Sequence, residues 1–256
     1  MTDSLTYVYA VARDPLGEDV EDVEGVGGVP IRLVHEAGLT AVVSTVDGEE
    51  FGEQGLRRNL EDLAWLERTV RAHDRVVNAV AAHTAAVPLA LATVYFTDDR
   101  VRAVLAANAS RFGEVLDKIA GRAEWGVKAY AQLDAPAEPA QSEGAAPGTA
   151  YLQRLKSRKE GREQAESRAL EEAGEVHQAL AELAEETHVH PPQNRELAGY
   201  QGTMVLNGAY LVPEARADEF AAKVRDIAAT ATGLRLERTG PWPPYSFAVA
   251  PDEAER

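Results

Sequence analysis

Read from Trp125 onward, the hydrophobic pattern runs strand, helix, strand, strand, helix, strand, and no other feature restricts the fold of this chain so tightly. Apolar residues alternate through "EWGVKAYA" (124–131), the period-two spacing of a strand. A helical period then holds over 151–186, a short extended "THVHPPQ" and a loop "NRELAGYQG" follow, and "TMVLNGAYLV" returns to strand. A helix over 214–230 and a strand "GLRLERT" complete the series. This βαββαβ order is the split βαβ arrangement of ferredoxin-like domains. The chain is therefore read as α+β with two domains: an N-terminal α+β domain over 1–121 and a C-terminal ferredoxin-like domain over 122–256. A cut at 133, where composition shifts, would strip the second domain of its first strand. The Ala, Pro, Gly and Ser of 132–150 then form a flexible, exposed loop inside that domain. Asn207-Gly208 is a strong hairpin signal in mid-strand, but splitting there leaves arms too short for a sheet, so one strand with a bulge is expected.

The first domain opens with "LTYVYAVA" (5–12), aromatic and β-branched at close to period two. After an acidic, glycine-rich loop, 31–36 and 39–46 make a hairpin through Ala37-Gly38, with Leu39, Ala41 and Val43 alternating against Thr40, Val42 and Ser44. Over 56–83 the period is helical, and Leu56, Leu60, Leu63, Leu66, Val70, His73, Val77 and Val80 make one stripe. Asn59 is placed as a cap, with Glu61 and Asp62 supplying acid to the first turn. Pro88 ends the helical region and "PLALATVYF" (88–96) reads as a strand. Thr97 then opens a helix with the stripe Val101, Leu105, Asn108, Phe112, Val115 and Ile119, stopped by Gly121.

At the far end, "TGPWPPYSFAVA" (239–250) packs three prolines, two large aromatics and a phenylalanine into a dozen residues. Proline bars the preceding residue from the helical region and donates nothing to a sheet, so the stretch is neither helix nor central strand. Two roles fit Pro241, Trp242, Pro243, Pro244, Tyr245 and Phe247. In one, the rings lie on the second domain's sheet as a rigid lid while the prolines guard its edge strand; in the other, they form a recognition surface. The tail 239–256 is assigned to the second domain in either case.

Chemistry has no evident address. A formal net charge of −16 repels nucleic acid and anionic membranes, and the absence of cysteine excludes disulfides, thiolate metal sites and thiol nucleophiles. The opening "MTDSLTYVYAVARD" lacks the basic flank of a signal peptide, and no apolar run approaches bilayer length, so a soluble cytoplasmic protein is expected. His73 falls on an apolar stripe and reads as a core residue, and His83 complements a helix end. His188 and His190 would point the same way from a strand, but no third metal ligand is near in sequence and Pro191-Pro192 end the strand at once. "GVGGVP" (25–30) has neither the spacing nor the lysine of a phosphate loop. No cofactor and no catalytic residue is assigned.

The long helix has unlike halves. Leu170, Ala173, Val176, Leu180 and Leu183 give the second half a core stripe, whereas "SRKEGREQAESR" (157–168) is polar all round. Lys156 with Glu160, Lys159 with Glu163, and Arg162 with Glu166 are spaced to pair with the cation first, the weaker orientation. This half could serve a generic helical adaptor that pairs with a partner helix.

"LEDLAWLERTVRAHDRVV", "VPLALATVYFTDDRVRAVL", "EWGVKAY", "NGAYLV" and the terminal "TGPWPPYSF" occur in an order that resembles the GvpF/GvpL family of gas vesicle proteins, and "GPWPPYSF" is the most specific of these blocks. The resemblance spans nearly the whole chain; 14–30 and 132–150 fall outside it. It implies two α+β domains and a non-enzymatic accessory or minor structural protein of gas vesicles. It also implies contact with the small, very hydrophobic major shell protein that limits its aggregation before assembly, and location in the cytoplasm and on the vesicle. Strong negative charge suits a protein that must keep such a partner soluble. The expected docking place is an exposed sheet edge or apolar helix surface of the first domain.

Overall fold

The computed structural model describes residues 4–16, 20, 23–132, 147–192 and 203–248, and for 147–154 the backbone alone. The chain folds into two compact units, Met1–Glu124 together with Pro241–Arg256, and Trp125–Gly240.

In the first unit, β1 (Ser4–Arg13) pairs antiparallel with β3 (Leu39–Asp47), which pairs with β2 (Arg32–Glu36). On its other side β1 pairs with two short strands, β4 (Ala86–Pro88) and β5 (Val94–Tyr95). Helices cover both faces, so β1 and β3 are buried over most of their length instead of alternating. Tyr7, Tyr9, Val42 and Val46 face α3 (Leu63–Ala81), while Val8, Val11, Ala41 and Val43 face α4 (Asp98–Ala107) and α5 (Ala109–Ile119). A register shift between Val8 and Ala10 turns Tyr9 and Ala10 to the same side, the signature of an inserted residue. The β2–β3 turn has positive φ at both Ala37 (52°) and Gly38 (75°), the primed turn that matches strand twist.

Several sequence expectations shift here. The helix expected over 56–83 is two helices, α2 (Glu53–Asn59) and α3, preceded by a single turn α1 (Gly48–Phe51). Asp62, not Asn59, caps α3, accepting from the Ala64 and Trp65 amides at 2.9 and 3.3 Å, while Asn59 donates to the Glu50 carbonyl. The break resets the helical phase. The buried face of α3 is therefore Trp65, Thr69, His73, Val76, Val77 and Val80, and Leu63, expected in the core, is 79% exposed. The strand expected over 88–96 is interrupted between β4 and β5, where Ala92 takes φ 62°. The helix after Thr97 kinks at Asn108, whose side chain bonds back to the Val104 carbonyl.

The second unit carries β6 (Arg122–Ala131), α6 (Pro147–Ala181), β7 (Glu186–Val189), β8 (Thr203–Pro213), α7 (Ala217–Thr230) and β9 (Leu234–Trp242). The sheet order β7-β8-β6-β9 is the ferredoxin-like one, with β7 and β9 at the edges. Gln132 donates to the Gly233 carbonyl at 2.8 Å while Gly126 lies against Thr239, so β6 and β9 run antiparallel. Trp125, Val127, Ala129, Tyr210 and Val212 pack against Ala173, Val176 and Leu180 of α6 and Phe220 of α7. In α6 the buried line starts at Ala169; Leu170 is 57% exposed. β8 is unbroken, and its register with β7 from Glu186↔Leu211 to Val189↔Gly208 shows no bulge. Gly208 is there because the Tyr210 ring crosses it: a Cβ would stand 2.8 Å from that ring.

Of the loop expected over 132–150, residues 133–146 lie outside the described residues, and 147–150 already belong to α6. "NRELAGYQG" and 249–256 also lie outside them. The tail 239–256 does not stay with the second unit: among its described residues, 241–248 group with the first.

Candidate functional site

The tail residues singled out in the sequence separate into two sets. Pro241 and Trp242 finish the edge strand β9, and Trp242 is 51% exposed. Pro243, Pro244 and Phe247 are buried, held in tight turns by the Tyr245 N–H to the Pro243 carbonyl (2.9 Å) and the Phe247 N–H to the Pro244 carbonyl (3.2 Å). This segment is a strap on the first unit. Ser246 donates through its N–H and its hydroxyl to the Glu124 carboxylate, both at 2.7 Å. Lys118 stands 5.9 Å above the Phe247 ring, and Ala248 joins the core cluster that holds Phe112 and Leu116. Tyr245 donates its hydroxyl to Asp74 at 3.2 Å and sets its ring 6.4 Å from that of His73. The lid expected on the second domain's sheet is therefore a strap on the first unit. Neighbourhood in sequence had suggested the nearer sheet, whereas the apolar surface awaiting cover is that of α3 and α5.

A groove of about 480 Å³ opens beside this unit's sheet. Its floor is Leu5, Phe51 and Leu89, its walls include Leu56 and Val94, and Phe96 stands at the rim, 83% exposed. Of the lining side chains only Glu53 carries a full charge, and Arg57 pairs with it at 2.8 Å. The groove is built locally. Asp47 caps α1 by accepting from the Glu49 amide, which turns the chain off β3 and drives Phe51 into the core. Gly55 lets α2 close on α1, since a Cβ there would lie 2.2 Å from the Glu49 carbonyl oxygen. Trp65 of α3 donates its indole N–H to Glu50 at 2.5 Å.

The far wall, 89–93, is held from below. The Ala92 N–H donates to the Tyr7 hydroxyl at 3.0 Å, and His73 Nδ1 lies 3.0 Å from the same oxygen, accepting its proton in the Nε2-protonated tautomer. With the proton of neutral His73 on Nε2, that atom makes no hydrogen bond of full geometry among the described residues, its nearest polar influence being the Leu89 backbone. Burial pushes His73 down to about 4, opposed by the Asp74 charge and the Leu89 backbone. Burial likewise raises Tyr7, and the Tyr7 ring meets Phe51 edge-on at 5.6 Å. Asp98, the first residue of α4, takes hydrogen bonds from Thr6 (2.8 Å) and from both terminal nitrogens of Arg32, tying α4 to β1 and β2. Its burial favours protonation, but the Arg32 and Thr6 bonds prevail and hold it below the usual carboxylate value.

Elsewhere, residues 155–164 of α6 are all exposed, with the three expected pairs Lys156–Glu160, Lys159–Glu163 and Arg162–Glu166 at 3.8, 3.8 and 3.1 Å. The His188 and His190 rings lie 4.5 Å apart, and among the described residues no group of three or more His, Asp or Glu is placed to hold a metal. No described helix is long and apolar enough to cross a membrane. The groove presents mainly apolar side chains to solvent. Neither Phe96 nor Tyr7 had been singled out from the sequence, because the groove's lining comes from three separate segments.

Residues 5–249 match the family model described as gas vesicle synthesis protein GvpL/GvpF. The chain is 42% identical to gas vesicle protein L of Streptomyces sp. (strain CB03234), covering 98% of this chain and 96% of that protein. Identity to gas vesicle protein F of the same organism is 29%, over 94% of this chain and 98% of the relative. In fold it is similar to the crystal structure of GvpF from Anabaena sp. PCC7120, with a TM-score of 0.67 at 22% identity and 96% of each chain covered. The structure of GvpF from Microcystis aeruginosa gives 0.66 at 18% identity, over 97% of this chain and 100% of that one.

Proposed function

This chain belongs to the GvpL/GvpF family of gas vesicle synthesis proteins, and from that premise we propose that it holds an apolar segment of the major shell protein in the groove beside β5 and limits aggregation of that protein before assembly. It works without catalysis or cofactor, in the cytoplasm and at the growing vesicle. The observation that carries this reading is the groove itself: apolar lining, with Phe96 83% exposed at its rim in a chain of net charge −16. An exposed phenylalanine at the mouth of an apolar groove is unfavourable in water and favourable once covered. The charge supplies solubility while that surface waits for its partner.

The test is capture of the major shell protein by the full chain and by Phe96→Asp. Covering a phenylalanine contributes about 2 kcal/mol, so the substitution should weaken capture roughly thirtyfold. Undiminished capture by a folded Phe96→Asp protein would sink the reading.

A second reading, an adaptor using the outer half of α6, draws on a charge separation. Residues 154–162 carry five cations against one carboxylate in an otherwise strongly acidic chain. Arg158→Glu with Arg162→Glu should then abolish binding to an acidic partner and leave shell-protein capture intact.

A further inference from the structure

The wall of the groove is an unusual piece of backbone. Between β4 and β5 the edge of the sheet is interrupted, and Ala92 sits at φ 62°, a conformation that a residue with a Cβ adopts at a cost. Such a residue stays there only while its surroundings hold it. The Leu89 N–H to the Tyr9 carbonyl and the Val8 N–H to the Thr93 carbonyl, both 2.9 Å, tie the ends of the wall to β1, and between them the hold is a hydrogen bond from the Ala92 amide to the Tyr7 hydroxyl at 3.0 Å, from beneath the wall. Tyr7 in turn is positioned by His73, at 3.0 Å from its hydroxyl, and by the edge-on contact with Phe51 in the groove floor. His73 is 2% exposed and lies under Tyr245 of the strap, whose hydroxyl is anchored on the neighbouring Asp74.

We propose that the C-terminal strap sets the shape of the groove: seating Tyr245 on α3 fixes His73 and Tyr7, and Tyr7 fixes the Ala92 amide, so the middle of the wall, between its backbone ties to β1 at Leu89 and Thr93, is fully rigid only with the strap in place. The inference rests on the groove reading for its functional meaning alone, since the coupling can be measured with no partner present. Its parts are contiguous within one unit: strap, α3, β1 and wall. Each link is a direct contact, and the last one restrains a backbone that would otherwise relax. A loosened wall gives a groove of altered width, and a segment binding there would meet a surface that reports whether the far end of the chain is docked. The nearest alternative is that the strap merely stabilises the whole unit, in which case loosening it would affect the β2–β3 hairpin as much as the wall.

Amide hydrogen exchange on the full chain separates the two. Tyr245→Ala should raise exchange across 89–96 at least tenfold more than across the hairpin turn at 37–39. Tyr245→Phe, which removes only the bond to Asp74, should move the same amides in the same direction by a smaller factor. In Tyr7→Phe the Ala92 amide loses its acceptor and exchanges faster on its own, and adding Tyr245→Ala should change 89–96 no further. Equal acceleration of wall and hairpin, or an undiminished effect of Tyr245→Ala in the Tyr7→Phe background, would overturn the coupling. Should exchange be coupled while Phe96→Asp still captures the shell protein, the groove reading fails and the strap inference stands; the reverse pair of results removes the strap inference alone.

Discussion

Replacing His73 by Gln removes from the first unit its one deeply buried imidazole while keeping an acceptor for the Tyr7 hydroxyl. In the folded chain His73 is 2% exposed, surrounded by Tyr7 and Tyr9 from β1, Tyr245 from the strap and Asp74 on its own helix, and burial holds it down to about 4 from an ordinary 6.5. The unfolded chain takes up a proton near 6.5 that the native state refuses until about 4. Stability from this residue is therefore complete above about 6.5 and lost progressively as pH falls towards about 4. At about 1.4 kcal/mol per pH unit the full loss is roughly 3 kcal/mol, of which about 2 kcal/mol is gone by pH 5. Carboxylates also titrate in this range, but equally in both proteins, so the difference between wild type and His73→Gln isolates the imidazole. Urea unfolding from pH 7 to pH 4.5, followed by fluorescence in a background that retains Trp65 as the only tryptophan, reads the first unit alone. The wild type should lose about 2 kcal/mol more than the variant between pH 7 and pH 5. Parallel pH profiles would refute a neutral, buried His73.

Ala37→Asn relieves a positive-φ alanine at the hairpin turn and should raise the unfolding free energy by about 1 kcal/mol, read as a shift in urea midpoint. Gly55→Ala places a methyl against two α1 carbonyl oxygens and should cost about 2 kcal/mol or more while splaying α2 from the groove, visible as weaker shell-protein capture. Asp98→Asn keeps the shape but loses charge-assisted bonds from half-exposed Arg32, costing about 1 kcal/mol at pH 7. Because Asp98 is held below 3.8, that cost should begin to shrink as pH falls below this value and disappear only once the folded carboxyl itself protonates, so unfolding should show it smaller at pH 3 than at pH 7. Truncation after Trp242 strips Phe247 and the Ser246–Glu124 bonds from the first unit and should destabilise it by about 3 kcal/mol, measured by exchange in α5.

The features that could be read from the sequence were those written in local periodicity. The six elements of the second unit stand in the expected order because each alternates or repeats over its own length, and the sheet order β7-β8-β6-β9 follows once that order is set. Errors arose where phase had to be carried across a break. Leu60 and Leu63 continue the spacing begun at Leu56, yet the link between α2 and α3 rotates the helix, leaving them 47% and 79% exposed while Trp65 and Thr69 turn inward. Leu170 illustrates a smaller slip: alanines at 169 and 173 form the closely packed line against the sheet, and the larger side chain beside them faces water. Size alone had favoured the leucine.

The tail shows what periodicity cannot carry. Its prolines rule out helix and central strand from local stereochemistry, and the chain does follow an edge strand and then tight turns. What Phe247 and Ala248 cover, however, depends on which apolar surface is left open by residues more than a hundred positions earlier. Leu116, Phe112 and the sheet behind them form a core that residues 4–124 leave unfinished, so the first unit is closed by residues that follow the second unit in sequence. A chain built this way keeps that unit short of its full stability until synthesis reaches the strap. Within "GPWPPYSF" the roles divide accordingly: Pro243, Pro244 and Phe247 are buried in the first unit, Tyr245 reaches Asp74 on α3, a helix that also supports the groove through Trp65, and Trp242 stays 51% exposed.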